Sequence, residues 1–223
     1  MKQGDIIIFL GSGRLYVSDG SRILSMDFPA GSVRDWDLLN KEVLQDTLST
    51  FITANNIEPS PISFVLSEPA CFSKDFSGKD PEKLEAEIAN FLDAVPFNYL
   101  VSKTYKIGEG VRVIAGNKEL IDAISEVFEG RGFSQYAVVP AAIFPKIGVK
   151  NTLDVQFVKA VNDNGEIVQT GNMIAPKPLS PENVAPPRPV ITKGKASSGV
   201  LPYLIIVGVV AIIVLVALVV IRG

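Results

Sequence analysis

Over roughly the first 150 positions, apolar residues follow two spacings, one of period 2 and one of about 3.6. Ile6 to Leu10 is a short apolar run rich in β-branched side chains. Gly11-Ser12-Gly13 then reads as a turn, and Arg14 to Ser18 alternates up to Asp19-Gly20, a pair suited to a tight hairpin. Arg22 to Phe28 supplies a third strand. Leu39, Val43, Leu44, Thr47, Leu48, Phe51 and Ile52 keep helical spacing, which predicts a helix from about Leu38 to Asn55, ended by Asn55-Asn56. Pro59 and Pro61 separate it from a buried-type strand over Ile62 to Leu66. Asp80 followed by Pro81 is a helix start, and Leu84, Ile88, Phe91, Leu92 and Val95 form the stripe of that helix before Pro96 stops it.

Two strands, Tyr99 to Tyr105 and Val111 to Ala115, flank a Gly108-Glu109-Gly110 turn. Asn117 caps a third helix whose Leu120, Ile121, Ile124, Val127 and Phe128 face a core, and Gly130 and Gly132 close it. Tyr136 to Val139 is a further strand. The order is βββ-α-β-α-ββ-α-β, a meander followed by crossover helices, and it implies a mixed α/β sheet. A last hairpin is expected from Asp154 to Thr170, turning at Asn162-Asp163-Asn164-Gly165. The domain plan is therefore residues 1–150, a terminal hairpin or extension over 151–170, and two C-terminal appendages.

The first appendage, residues 171–199, carries Pro176, Pro178, Pro181, Pro186, Pro187 and Pro189 among polar and small residues, a composition unable to bury a core. It reads as a linker that either serves only as a tether or also docks a partner. The second, residues 200–222, contains Leu201 to Ile221, 21 residues without a charge, which as a helix rise about 31 Å and match one bilayer crossing. Tyr203 falls at the near interface. Arg188, Lys193 and Lys195 precede the run and Arg222 follows it, so the positive-inside bias predicts an N-terminal domain in the cytoplasm and a single pass through the membrane. MKQGDIIIFLG lacks a signal-peptide pattern, and the short tail after Ile221 predicts insertion of the tail-anchored kind.

Charge and composition narrow the chemistry. The formal charge is -3, which offers no bulk attraction to nucleic acid, and none is expected as a partner. The chain has no histidine, so the commonest general base and most zinc and haem ligand sets are missing. Cys71, the single cysteine, suits a reducing compartment and reads as a small buried or loop thiol. Asp35/Asp37 and Glu85/Glu87 stand at i,i+2 and read as solvated surface charge. Trp36, in the Gly31 to Asp37 loop, either anchors a partner or covers the core edge.

The opening I-I-I-F-L-G-S-G meander resembles the first lobe of actin-like (RNase H-like) proteins. The segment from Glu85 to Phe97 ending in A-V-P-F, then Tyr99 to Tyr105, then V-R-V-I-A-G-N-K-E-L-I-D-A-I and the strand to Val139-Pro140, is similar to the PilM/GspL-like domains of type IV pilus and type II secretion assembly. The resemblance covers about residues 5–146. It implies a single-lobed actin-like mixed sheet with an inserted αββ subdomain, since a second lobe has no room in 223 residues.

Actin-like ATPases place D-x-G after the first strand, where the aspartate organises hydrated magnesium; the matching letters here are Phe9-Leu10-Gly11. Gly11, Ser12 and Gly13 remain as a vestigial phosphate-loop turn, and neither a cofactor nor enzymatic activity is expected. The resemblance implies an adaptor or scaffold that binds inner-membrane platform proteins or an assembly ATPase, with Phe97, Tyr99 and Tyr105 as partner-binding candidates beside Trp36. These aromatics either supply apolar pockets beside an exposed strand edge or fill the core. A shortened actin-like nucleotide-binding enzyme, ATPase or phosphotransferase, and a membrane anchor for cell-division or cytoskeletal filaments are the alternatives.

Overall fold

The computed structural model describes residues 5–78, 80–144 and 151–174. Strand β1 (Ile6–Gly11) is buried along its whole length, as expected for a continuous apolar run covered on both faces. It turns through Ser12-Gly13 into antiparallel β2 (Arg14–Ser18), which pairs in turn with β3 (Ile23–Asp27). The Asp19 carboxylate holds the second turn, accepting from Ser21 N at 3.0 Å, Ser21 Oγ at 2.7 Å, Arg22 N at 3.1 Å and Arg22 Nε at 2.9 Å.

The Gly31 to Asp37 loop is a miniature hairpin of β4 (Val33–Arg34) and β5 (Asp37–Leu38). Helix α1 (Lys41–Ala54) begins later than the apolar spacing suggests, because Asn40 caps it by accepting from Val43 N; Leu39 stays outside the helix and 45% exposed. Leu44, Leu48 and Ile52 are its buried stripe. The chain then enters β6 (Pro61–Leu66), parallel to β1.

The insertion is βαββ rather than αββ. Its extra strand, β7 (Cys71–Phe76), follows a 3-10 turn over Glu68–Ala70 and is followed by α2 (Pro81–Asp93), β8 (Leu100–Ile107) and β9 (Gly110–Asn117). The sheet order β7-β9-β8 places β9 in the middle. In β7 only Phe76 is fully buried, so Cys-Phe-Ser-Lys-Asp-Phe shows little apolar alternation and owes its extended form to pairing with β9. Helix α2 is capped by Asp80 as expected, yet its apolar stripe is only half-buried against this small sheet.

After β9, Asn117 caps α3 (Lys118–Glu129) by accepting from Glu119 N and Leu120 N, and β10 (Ser134–Pro140) runs parallel to β6. The main sheet has the order β10-β6-β1-β2-β3. Alternation along β1 divides the core. Ile6, Ile8 and Leu10 pack with α1 and α3 on one face, while Ile7 and Phe9 face the other.

That second face corrects the expectation for 154–170. The segment forms no hairpin: it is α4 (Val155–Asp163) and α5 (Gly165–Gly171), separated by Asn164. Asp154 accepts from Phe157 N as the cap, and Phe157, Val158 and Val161 turn inward at helical spacing onto Ile7, Phe9, Val65 and Val139. Asn162-Asp163-Asn164-Gly165, which suits a hairpin tip, is the bend between helices. This segment is thus a layer of the domain, and Gly171 to Ile174, expected to open the linker, belong to it too: Met173 is buried and its N–H donates to Val138 O at 2.8 Å. Among the described residues no helix is long and apolar enough to cross a membrane. The rest of the linker and the 200–222 run, with Lys193, Lys195, Tyr203 and Arg222, lie outside the described residues.

Candidate functional site

Gly11 closes β1 where another segment crosses it. A Cβ there would meet Asn151 O at 2.5 Å and Tyr16 Cε2 at 2.8 Å, so chain crossing alone requires glycine. Gly13 sits at φ 72, a conformation glycine adopts freely, and its carbonyl accepts from Phe28 N at 3.1 Å. Exposed Ser12, with Gly13, forms one wall of a cleft of about 350 Å³ whose other wall is Phe28, Pro29, Val33 and Trp36. The fold therefore brings together two segments singled out separately in the sequence, the glycine turn and the tryptophan loop.

At the tip of the small hairpin Asp35 has φ 50 and Trp36 φ 67. Both central residues are left-handed, as a two-residue turn of this hand requires, but the positions favour Asn-Gly, and a bulky side chain there is strained. Packing holds it in place. The indole stands edge-on to Phe28 at 6.3 Å, the Trp36 carbonyl accepts from Asn117 Nδ2 at 2.9 Å, and Trp36 touches both the main core and the small cluster of Val95, Phe97 and Ala115. Trp36 is thus a half-buried bridge between the main sheet and the insertion, with one edge on the cleft.

Phe9, which the sequence resemblance sets against the metal-organising aspartate of actin-like ATPases, is 0% exposed. Its ring is edge-on to Phe157 at 5.4 Å and to Tyr16 at 6.0 Å, and Phe157 is edge-on to Phe144 at 5.7 Å. Helix α4 lies over it, so the position points into hydrocarbon.

The remaining partner candidates separate by burial. Phe97 is 8% exposed and edge-on to Phe72 at 5.5 Å, a core residue of the insertion. Tyr105 donates its hydroxyl to Gly171 O at 2.7 Å; burial, with nearby Cys71 adding to it, raises its phenol well above the usual range. Tyr99, just before β8, is 64% exposed beside a cleft of about 380 Å³ lined by Lys41, Lys118, Glu119, Asp122 and Glu126. Lys41 pairs with Glu126 at 2.7 Å and Lys118 with Asp122. The Lys41 hydrogen bond, helped by one from Gln45, outweighs partial burial and holds the Glu126 carboxyl below its ordinary value.

Because β9 is central in its sheet, Val111 to Ala115 offer no free edge. Within the insertion the outer strands β7 and β8 are the edges that can accept an extended peptide. Cys71 packs against the main core, and burial, then Glu68, push its thiol up to about 12, so it is not a thiolate nucleophile near neutral pH. The residues missed by sequence reasoning are Lys103 and Asn172. Both act through main-chain groups far away in sequence, and no local pattern marks them.

No family model matches the chain, and no curated protein matches it in sequence. Among solved structures the chain is similar to one described as the PilM-PilN type IV pilus biogenesis complex, with a TM-score of 0.42 and 16% identity, over 63% of this chain and 48% of that one. It is also similar to the cytoplasmic domain of EpsL, an inner membrane component of the type II secretion system of Vibrio cholerae, with a TM-score of 0.37 and 12% identity, over 65% of this chain and 60% of that one. The chain thus spans about half to three fifths of the length of these structures. Both are of the kind the sequence resembles, but overlaps this limited carry no functional argument.

Proposed function

We propose that the protein is a noncatalytic adaptor on the cytoplasmic face of the inner membrane, anchored by the apolar run at 201–221 and binding a platform protein or the assembly ATPase of type IV pilus or type II secretion machinery. The observation that carries the noncatalytic part is Phe9. In the actin-like resemblance its position organises magnesium, and here it is a fully buried ring under Phe157. The adaptor part rests on the residues that resemble PilM/GspL-like domains. The insertion supplies the surface, with exposed Tyr99 beside the mixed-charge cleft and the outer strand edges able to hydrogen-bond an extended peptide.

Two measurements test the reading. Calorimetry of the protein with Mg-ATP is expected to give no binding heat, and a micromolar dissociation constant would revive the nucleotide-dependent alternative. Crosslinking and pulldown are expected to recover a pilus or secretion component with the wild type and to lose it with Tyr99→Ala. Tyr105→Phe, which removes an internal hydrogen bond, is expected to retain it. If neither kind of component is recovered, or a strain lacking the protein assembles pili and secretes normally, the adaptor assignment fails.

A further inference from the structure

Thr170 to Ile174 are gripped from two sides. From the insertion, Lys103 Nζ donates to Thr170 O at 2.6 Å and to Asn172 O at 2.8 Å, and Tyr105 Oη donates to Gly171 O at 2.7 Å. These three successive carbonyls stand at the C-terminal end of α5. A helix end leaves carbonyls without intrahelical donors, and its partial negative charge favours an ammonium group. From the main sheet, Asn172 Oδ1 accepts from Val138 N at 2.9 Å and from Ile174 N at 3.2 Å, while Met173 N donates to Val138 O at 2.8 Å. Gly171 lies close beneath the Ile143 side chain, which a Cβ there would force to shift.

We propose that Thr170 to Ile174 form a latch coupling the insertion to β10. Lys103 and Tyr105 hold one side of a five-residue strap and Val138 holds the other. A displacement of β8 is transmitted to the β10 edge, and a displacement of the β10 edge is transmitted to β8. The coupling is reciprocal, because each side biases the same closed arrangement. The inference depends only on these contacts and holds whatever the protein binds.

Hydrogen exchange on the full chain tests it. Lys103→Met with Tyr105→Phe removes the donors while keeping most of the side-chain volume. It is expected to speed exchange roughly tenfold at the Val138 and Met173 amides, whose own hydrogen bonds run to Asn172 Oδ1 and Val138 O and involve neither substituted side chain, in line with the loss of a charge-assisted hydrogen bond. Asn172→Leu, which acts from the other side, is expected to speed exchange in β8. The β1 and β2 amides serve as the reference for global stability and are expected to be unchanged. Acceleration confined to the substituted side in both variants would overturn the latch. Should a variant fail to fold, the wild type still decides: with rising sub-denaturing urea, the β8 amides and those of Val138 and Met173 are expected to open as one unit, and separate opening would refute the coupling.

Discussion

Replacing Phe9 by aspartate introduces the residue type that the actin-like resemblance sets against this position, and the structure predicts that the substitution unfolds the domain rather than activating it. Phe9 is 0% exposed and has two edge-to-face partners, Phe157 and Tyr16. Removing a buried phenylalanine costs about 3–5 kcal/mol. The aspartate then sits among Ile7, Val65, Val139 and Phe157. Burial of this kind raises a carboxyl pKa by up to about 3–5 units, which adds roughly 4 kcal/mol at neutral pH. The sum of roughly 7–9 kcal/mol rivals the whole stability of a typical domain, about 5–15 kcal/mol. The sign of the pH dependence follows from the raised folded pKa. The added penalty is absent below the unfolded value of about 3.9 and grows as pH rises toward the folded value. Urea titration of wild type, Phe9→Leu and Phe9→Asp at mildly acidic and neutral pH measures this. Phe9→Leu should lose only about 1 kcal/mol. A Phe9→Asp protein that folds with a midpoint close to wild type and insensitive to pH would show that α4 does not seal the position, and the noncatalytic argument would lose its basis.

Asp19 gives the opposite pH dependence. Partial burial acts to raise its pKa, but hydrogen bonds from Ser21 and Arg22 outweigh it and hold the carboxyl far below the ordinary range. Its contribution is therefore present above about pH 4 and is lost as pH falls toward the folded value. Asp19→Asn should cost about 1 kcal/mol at pH 7, and its urea midpoint should converge on wild type in acid. At the strained hairpin tip, Trp36→Ala keeps the left-handed backbone and loses the ring packing, so it should be less stable than Trp36→Gly by about 1 kcal/mol in thermal or urea unfolding; equal stability would contradict the strain. The full-length protein should resist carbonate extraction, and its domain should be protected from protease added to intact spheroplasts. Release into the soluble fraction, or digestion from outside, would refute the anchored cytoplasmic topology.

The parts of this protein legible from sequence are those whose interactions are local. The meander is visible because alternation and the Gly13 and Asp19-Gly20 turns act within a few residues. The helices α2 and α3 are visible because the side chains of Asp80 and Asn117 bond to amides only two or three positions on. Phe9 itself is legible in the sequence as an aromatic ring where the actin-like resemblance sets an aspartate. That the position is sealed is decided by Phe157, which lies far along the chain yet meets Phe9 edge-on.

The tertiary structure decided the rest. Asn162-Asp163-Asn164-Gly165 has the composition of a hairpin tip, but the exposed apolar face of the main sheet gains more from covering helices than from an added hairpin, and Phe157, Val158 and Val161 supply that cover. Strand β7 exists because β9 offers it an edge, and Tyr105 is an internal donor because Gly171 O lies within reach. In each case the stabilising partner is tens of residues away, so its contribution appears only after the chain has closed the intervening loop.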